Sequence, residues 1–353
     1  MCRRVVLTLS VLLVVAGLAV PQASTARADS ALVAARSAVF GADNVDQTTG
    51  AVRDDRVLFS WFGVSSFAVA MAGKVFLTDA WVPNAYRGHV PTTRAQIAAI
   101  KPSHILIGHG HFDHAADAVD IARASGARLV GSASHCAFFH RSAPRVACDV
   151  VAAAGARPGS TRPYRGIPGI AVTAMSNIHS TLKAPEGEHP PLLPIPPSDR
   201  LVTNPPHADE LGRLAGHLDD PEGGAVLYAF EVGGRRIVWN DSVGPVSQVP
   251  GGRAILATLR DLGPVDLHVG SIQGFNEITN GLGDPLRYID ALRPKVFVPN
   301  HHDDWFPVIA TPAVNRERAF FDALATIDAR PEVRYLRDPQ DYLRPDRVTL
   351  ELR

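Results

Sequence analysis

The alternation of hydrophobic and polar positions predicts short strands first, and helices alternating with strands afterwards. Three apolar runs at 56–61, 66–70 and 74–78 are separated by glycine-containing turns, which is typical of a meander of strands. Each half of the chain offers antiparallel strands and then strand–helix units, which predicts a layered α/β fold with two sheets or one large mixed sheet. The later pattern predicts helices at 93–100, 115–125, 254–262, 284–292 and 313–326, and strands at 104–107, 129–131, 170–176, 226–232, 236–240, 267–271 and 295–299.

The first 28 residues have the pattern of a secretory signal peptide. Two arginines precede an apolar run at 5–20, and Ala26-Arg27-Ala28 offers a small-x-small cleavage site. The alternative is an uncleaved membrane anchor, but Pro21 ends the run short of the roughly 20 residues that span a bilayer. We therefore expect an exported protein, secreted or held in the periplasm or cell envelope, without a stable membrane span after cleavage.

The remaining chain reads as one catalytic domain with two additions. Residues 29–55 are small and polar, and predict an N-terminal extension that lies on the domain. Residues 56–353 carry the alternating pattern of the catalytic domain. Within it, residues 183–224 are rich in proline and lack periodicity, which predicts a lid or insertion because long irregular segments in compact domains usually serve a function.

Composition excludes several classes of protein. Of 353 residues, 46% are hydrophobic and 20% are charged, which suits a globular chain and argues against disorder or a multi-span membrane protein. Lys+Arg and Asp+Glu both number 35, and this balance argues against nucleic acid as a partner. A small molecule is the expected substrate, and the oligomeric state is left open.

Two cysteines remain after the predicted cleavage. Cys136 and Cys148 are twelve positions apart, outside any Cys-x-x-Cys or Cys-His ligand pattern. In an exported protein we favour a disulfide between them, and the alternative is two free buried thiols.

One short segment concentrates the chemistry. His109, His111, Asp113 and His114 lie within six residues, between a predicted buried strand and a predicted helix. Imidazole and carboxylate are ligands that suit Zn²⁺ and neighbouring first-row metals. Glycines at 108 and 110 let the backbone turn tightly enough for several side chains to converge. The segment therefore predicts a metal site, and a solvated polar loop is the weaker alternative.

This segment resembles the metallo-β-lactamase superfamily, whose hallmark is His-x-His-x-Asp-His between a strand and a helix. The resemblance implies an αββα four-layer sandwich, here with a proline-rich lid. The segments 61–67 and 77–79, and Pro299-Asn300-His301-His302-Asp303-Asp304-Trp305, are similar to the branch of ascorbate-phosphate lactonases and acylethanolamine phospholipase-D-like proteins.

Carried over residue by residue, the resemblance implies two metal ions. His109, His111 and His179 would hold the first ion, and Asp113, His114 and His301 the second. Asp241 would bridge them, and Asp79 would brace the metal loop. Zinc is the default from the ligand types, and manganese or iron also fits.

The implied activity is that of an exported metal-dependent hydrolase. Two metals would share a hydroxide that cleaves an ester, lactone, amide or phosphodiester bond, with Asp113 and Asp241 as catalytic residues. A non-catalytic metal-binding scaffold of the same fold is the alternative. The residues expected beside the substrate are Phe112, Trp81, His217, His302 and Trp305.

Overall fold

Fourteen strands in two sheets form the framework of the computed structural model, which describes residues 29–83, 90–181, 205, 207–275, 277, 280–306 and 310–353. The strands of the first sheet are β1 (Arg56–Trp61), β2 (Phe67–Met71), β3 (Lys74–Thr78), β4 (His104–Leu106), β5 (Arg128–Ser132), β6 (Cys148–Ala152) and β14 (Thr349–Glu351). Those of the second are β7 (Thr161–Tyr164), β8 (Ala171–Ser176), β9 (Val226–Val232), β10 (Arg235–Asn240), β11 (Leu267–Ser271), β12 (Val296–Asn300) and β13 (Glu332–Val333).

The two sheets have the same internal plan. The first has the order β14-β1-β2-β3-β4-β5-β6, antiparallel as far as β3 and parallel from β3 to β6. The second has the order β13-β12-β11-β10-β9-β8-β7, antiparallel from β7 to β10 and parallel beyond β10. Antiparallel strands followed by parallel ones were predicted for each half, so the layered α/β fold with two sheets is confirmed.

Helices pack on the outer faces of both sheets. Their bounds are α1 (Ser30–Phe40), α2 (Arg94–Ala99), α3 (Phe112–Ala115), α4 (Ala118–Ser125), α5 (Ala133–Ser142), α6 (Ala208–Ala215), α7 (Gly252–Leu262), α8 (Gly283–Leu292) and α9 (Val314–Leu324). Short 3₁₀ turns lie at Ala42–Asn44 and Pro345–Arg347. Ile255 and Leu259 of α7 join a cluster with Val238 on one face of β10, and Phe320 of α9 stacks against Phe297 of β12.

The main core lies between the sheets. Phe76 of β3 and Phe230 of β9 are both fully buried, with ring centroids 5.7 Å apart. Tyr228 of β9 crosses to the other sheet, where its hydroxyl donates to the Ile107 carbonyl at 3.0 Å. This hydrogen bond joins β9 to the first residue after β4.

Residues 29–55 are more integrated than their polar composition predicts. They contain α1, whose Val39 and Phe40 belong to the main core, and Ser60 Oγ of β1 donates to the Val39 carbonyl at 2.6 Å. The apolar sequence from Ala31 to Phe40 carries one buried end, a signal that the overall composition of the segment hides. The extension therefore contributes to the fold as well as lying on it.

Several predicted features lie partly or wholly outside the described residues. These are the signal peptide at 1–28 and residues 183–204 and 206 of the predicted lid. Among the residues that the structure does describe, no helix is long and apolar enough to cross a bilayer. Cys136 of α5 and Cys148 of β6 are joined by a disulfide, with a Cα–Cα distance of 5.6 Å.

Candidate metal centre

The polar residues singled out in the sequence meet at one edge of the two sheets. Asp79 follows β3, the His109–His114 segment follows β4, His179 follows β8, Asp241 follows β10 and His301 follows β12. The carboxyl ends of these strands point to the same rim, so residues far apart in sequence become neighbours. His109 and Asp241, separated by 132 positions, are joined by an Nδ1–Oδ2 contact of 2.6 Å.

Two glycines let the metal loop approach the opposite sheet. A Cβ on Gly108 would lie 2.1 Å from the Asp241 carboxyl carbon, which no side chain tolerates. A Cβ on Gly110 would lie 2.3 Å from the Pro221 carbonyl oxygen. The Gly110 N–H donates to the Glu222 carbonyl at 2.7 Å, and the Val226 N–H donates to the Gly108 carbonyl at 2.7 Å. These two hydrogen bonds join the metal loop to β9 and to the residues just before it.

Three imidazoles meet at the first cluster of ligand atoms. His109 Nε2 lies 3.1 Å from His111 Nδ1 and 3.1 Å from His179 Nε2. His109 is buried, whereas His111 and His179 are partly exposed at the rim. These residues form the set that the resemblance assigns to the first metal ion, and we refer to them as the first triad.

A second cluster lies beside the first. His114 Nε2 lies 3.3 Å from Asp113 Oδ2 and 3.1 Å from His301 Nε2, and the Asp113–His301 edge is 3.2 Å. All three residues are buried. They form the set that the resemblance assigns to the second ion, and we refer to them as the second triad.

The hydrogen-bond network fixes which nitrogen of each imidazole carries a lone pair. His109 Nδ1 faces the Asp241 carboxylate and His179 Nδ1 faces the Ser180 carbonyl at 2.6 Å, so each Nδ1 carries the hydrogen. Each Nε2 atom therefore carries a lone pair, and the two Nε2 atoms face each other. Two lone pairs held 3.1 Å apart repel unless a cation lies between them.

The spacing of these atoms fits a metal ion. At a Zn–N distance of about 2.0–2.1 Å, two ligands of a tetrahedral ion lie about 3.3–3.4 Å apart. The measured edges of both triads, 3.1 to 3.3 Å, are close to that value. Donor type and spacing therefore suit a divalent cation in each triad, and the lone-pair direction of His109 and His179 suits one in the first triad.

Asp79 and Ser65 hold the rear of the second triad. Asp79 Oδ2 accepts from His114 Nδ1 at 2.8 Å and from Ser65 Oγ at 2.6 Å, while Asp79 Oδ1 accepts from the Gly108 N–H at 2.9 Å. Because this carboxylate binds the back of the imidazole, His114 Nε2 is directed toward Asp113 and His301. Asp79 lies where the resemblance places the bracing aspartate.

Asp241 lies between the triads, with its two oxygens in different environments. Oδ2 contacts His109 Nδ1 at 2.6 Å and lies 3.4 Å from His114 Nδ1. Oδ1 is buried and has no hydrogen-bond partner among the residues that the structure describes. An orphaned buried carboxylate oxygen is costly, and a cation would satisfy it. Through Oδ2 the residue orients two ligands, and through Oδ1 it is available as a ligand itself.

The surroundings shift the pKa values of the titratable groups differently in the two triads. Burial and the neighbouring His114 lower the pKa of His109 well below its usual value, and burial and His109 do the same for the pKa of His179. Burial would also lower the pKa of His114, but Asp113 and Asp79 raise it well above the usual range. Burial would raise the pKa of Asp113, yet His114 holds it well below its usual value. The first triad therefore presents neutral imidazoles, and Asp113 presents an ionised carboxylate.

The site also stores backbone strain. Asp79 and His301 have φ values of 50° and 59°, and Val64 has φ 51°. Residues other than glycine rarely adopt this left-handed backbone conformation, and each one costs about 1–3 kcal/mol of folding free energy. The His301 N–H donates to the Val64 carbonyl at 2.9 Å, so two strained residues support each other. The strain places both the bracing carboxylate and the last histidine.

The aromatic residues expected beside the substrate form a packed cluster next to the second triad. Trp305 meets the His301 ring edge-on at 5.4 Å, and Trp81 meets Phe112 and Trp305 edge-on at 5.6 and 5.9 Å. Trp81 is fully buried and Trp305 nearly so, whereas Phe112 is partly exposed. Trp81 therefore supports the wall of the site without lining an open pocket.

The predicted substrate-pocket role of His302 is wrong. Its ring is fully buried, stacks on Trp61 at 5.6 Å, and places Nε2 2.8 Å from the Leu336 carbonyl. His301 has a left-handed backbone with φ 59°, and the side chain of the residue that follows it, His302, points into the core. His217, in contrast, remains partly exposed and pairs with Asp220.

Sequence reasoning missed several residues that shape the site. Ser65 lies within the quoted segment 61–67 but received no role, and it contacts both Asp79 and His114 Nδ1. Asp117, four positions after Asp113, is fully buried and accepts from the Val82 N–H at 2.8 Å and from Arg213 at 3.0 Å. Asp113 belongs to α3, whereas Asp117 directly precedes α4, so no shared helical period linked the two residues.

Comparison with known proteins agrees with this geometry. The profile of the metallo-beta-lactamase superfamily matches residues 60–239, which include the first six histidine and aspartate positions of the site but end before Asp241 and His301. The chain is 27% identical over 284 residues to a UPF0173 metal-dependent hydrolase of Pyrobaculum neutrophilum, covering 80% of this chain and 98% of that protein. A second UPF0173 metal-dependent hydrolase, from Pyrobaculum calidifontis, is 49% identical over 72 residues, which cover 20% of this chain and 31% of that protein.

A solved structure shows the same fold. Igni18, a novel metallo hydrolase from Ignicoccus hospitalis, superposes with a TM-score of 0.53 at 18% identity, covering 84% of this chain and 100% of its own. The likeness is one of fold alone at this identity. Because the superfamily profile covers half of the chain and both sheets are present, the chain belongs to the metallo-beta-lactamase superfamily.

Proposed function

We propose that this chain is an exported hydrolase that holds two divalent cations, zinc by default, and cleaves an uncharged ester, lactone or amide. The observation that carries the proposal is the pair of triads, in which imidazole nitrogens and the Asp113 carboxylate oxygen lie 3.1 to 3.3 Å apart. The relatives named metal-dependent hydrolases support hydrolysis over a non-catalytic scaffold.

The residues that would hold the cations follow from the geometry. His109, His111 and His179 would take the first, Asp113, His114 and His301 the second, and Asp241 Oδ1 would face both. When bound, such ions act as Lewis acids and lower the pKa of water toward neutrality.

The chain's own residues then bind the substrate and move protons. Asp113 is ionised because His114 holds its pKa well below the usual value, so its carboxylate can accept a hydrogen bond from a water molecule and orient it. Asp79 and Asp241 hold the imidazoles of His114 and His109 by their Nδ1 atoms, which keeps the opposite nitrogens aimed at the site.

The surroundings favour an uncharged substrate with an apolar group. Phe275 is 47% exposed and lies 5.9 Å from the His179 ring, on the side of the first triad. Phe112 and Phe306 lie 6.0 Å apart and are partly exposed near the second triad. Apolar rings on both sides of a polar centre are typical of small-molecule sites. A phosphodiester is the second candidate bond, and the ligand set does not exclude it.

The first test measures metal content and hydrolysis together. We expect purified protein lacking residues 1–28 to bind about two metal ions per chain and to hydrolyse at least one of four probes: an ester, a lactone, an amide or a phosphodiester. Asp241→Ala should lower both metal content and activity, whereas Asp219→Asn, an exposed neighbour of the insertion, should change neither.

The outcomes separate the alternatives. Two metals without turnover of any probe would favour the scaffold, and turnover of phosphodiesters alone would overturn the uncharged substrate. A folded chain without metal would overturn the ligand assignment. Export is tested separately, by expressing the full chain and sequencing its N-terminus, which should begin at Asp29.

A further inference from the structure

A histidine–aspartate pair lies at the end of the proline-rich insertion. His217 lies just beyond the end of α6, and its Nδ1 is 2.7 Å from Asp220 Oδ2. The Asp220 N–H donates to the His217 carbonyl at 3.0 Å, so the backbone turn holds the two side chains together. The His217 side chain is 33% exposed and that of Asp220 is 10% exposed.

The pair is fixed to the metal loop on one side. Pro221 and Glu222 follow Asp220 directly, and their carbonyls lie against Gly110, the residue between His109 and His111. The Glu222 carbonyl accepts from the Gly110 N–H at 2.7 Å and from His135 Nε2 at 2.8 Å. The Asp220 carboxylate also interacts electrostatically with His111. The pair therefore lies at the rim of the first triad.

The pair is fixed to the domain on the other side through α6. Arg213 of α6 donates to the buried Asp117 at 3.0 Å and to Glu210 at 3.1 Å. Leu214 is buried against the aromatic cluster that contains Trp81 and Trp305. The His217 N–H donates to the Leu214 carbonyl at 2.8 Å. Both ends of the turn are thus anchored, and His217 has one defined location.

The hydrogen bond to Asp220 sets the state of the His217 ring. The carboxylate accepts the Nδ1 hydrogen, so Nε2 is the atom presented outward. Nε2 makes no hydrogen bond with the residues that the structure describes. A carboxylate behind an imidazole orients the ring, as in other histidine–aspartate pairs that transfer protons.

We propose that His217 is the general acid that protonates the leaving group, and that Asp220 is its positioning residue. The inference rests on the proposed hydrolase function and adds a residue of the insertion to it. Histidine suits the role because its imidazole can donate the Nε2 proton while Nδ1 remains bonded to Asp220.

The proton transfer balances for an ester. The attacking water adds its oxygen to the carbonyl carbon, and the bond between that carbon and the leaving oxygen breaks. The electron pair of the broken bond stays on the leaving oxygen, which takes the proton from His217 Nε2 and departs as an alcohol. The proton released by the water restores the proton on His217, so ester and water give acid and alcohol.

The test compares two esters of the same acyl group, an alkyl ester and a p-nitrophenyl ester. An aryl oxide leaves without protonation, whereas an alkoxide does not. We expect His217→Gln to lower kcat/KM for the alkyl ester by about 10²–10⁴-fold and for the aryl ester by less than about tenfold. Asp220→Asn should give the same selectivity at smaller amplitude, and metal content should stay at the wild-type value in both variants.

Two matched controls come from the same insertion. His207→Gln replaces the N-cap residue of α6, whose side chain makes no capping hydrogen bond within the described part of the chain, and Asp219→Asn removes an exposed carboxylate next to Asp220. Both should behave as wild type on both esters. Equal losses on the two esters, no loss, or loss of metal in His217→Gln would each overturn the inference while leaving the hydrolase intact. A wild-type chain that cleaves no probe would overturn the proposed function and this inference with it.

Discussion

Gly108 provides a sharp perturbation of the metal centre because its missing side chain is what admits Asp241. A Cβ at this position would lie 2.1 Å from both Cγ and Oδ2 of Asp241, where ordinary contacts begin at 3.4 Å. Gly108→Ala therefore forces the carboxylate to retreat by about 1.3 Å. A movement of that size breaks the 2.6 Å contact with His109 Nδ1.

The expected cost follows from the two effects. Overpacking a filled site costs about 1–3 kcal/mol, and losing a hydrogen bond to a charged group costs about 1.5–3 kcal/mol. Removing the partner that orients a metal ligand typically lowers metal affinity about 10–100-fold. We expect Gly108→Ala to lose metal to a chelator at concentrations at least ten times lower than wild type, with a parallel fall in kcat/KM.

The assay titrates loaded protein with a competing chelator and measures metal per chain after gel filtration. Gly212→Ala is the matched control, because a Cβ on that glycine of α6 meets nothing within 4 Å and its backbone is helical. The control should retain wild-type metal and gain about 0.5–1 kcal/mol of helix stability. Wild-type metal affinity in a folded Gly108→Ala protein would refute the placement of Asp241 against the metal loop.

Three further predictions concern stability. The Cys136→Ser/Cys148→Ser double variant should lose about 3 kcal/mol of unfolding free energy in urea, because the bridge closes a short loop; unchanged stability would show that the reduced loop stays ordered. Arg316→Met should cost about 3–5 kcal/mol by leaving Glu277 buried without its 2.8 Å partner, and adding Glu277→Gln should restore much of the loss; additive losses would argue against the pair. Burial lowers the pKa of His268 to about 3. The neutral side chain therefore contributes stability that is complete above the unfolded pKa of about 6.5. As the pH falls from there toward 3, the free energy of unfolding decreases by about 1.4 kcal/mol per pH unit. His268→Gln should flatten that slope by about one proton in metal-free protein, and an identical slope would contradict the assignment.

The sequence predicted the rim of the site well because its ligands follow strands whose bounds are set by local pattern. The ranges predicted for β1, β3, β9 and β11 coincide with those observed, and Asp79 and Asp241 are the first residues after β3 and β10. Strand ends follow from short-range alternation, and the convergence of parallel strand ends follows from the fold.

What the pattern missed depends on contacts between distant segments. The direction of His302 is set by the left-handed backbone of His301, and neither composition nor period encodes that conformation. The proximity of Asp220 to the metal loop depends on carbonyls of 221 and 222 meeting Gly110, a contact between segments over one hundred residues apart. Helix α1 was missed because polar neighbours on both sides diluted a short apolar run.

Each triad draws its ligands from both halves of the chain, and this has a consequence for how the protein matures. His109, His111, Asp113 and His114 follow β4 of the first sheet, whereas His179 and His301 follow strands of the second. Each bound ion would therefore cross-link the halves, adding about 2.7 kcal/mol of stability per site at a free-ion concentration one hundred times the Kd. A chain still being made lacks His301, so the second triad is completed only near the end of synthesis. Metal acquisition would then be coupled to closure of the sandwich, and chelation should convert a protease-resistant protein into one that is cut between its halves.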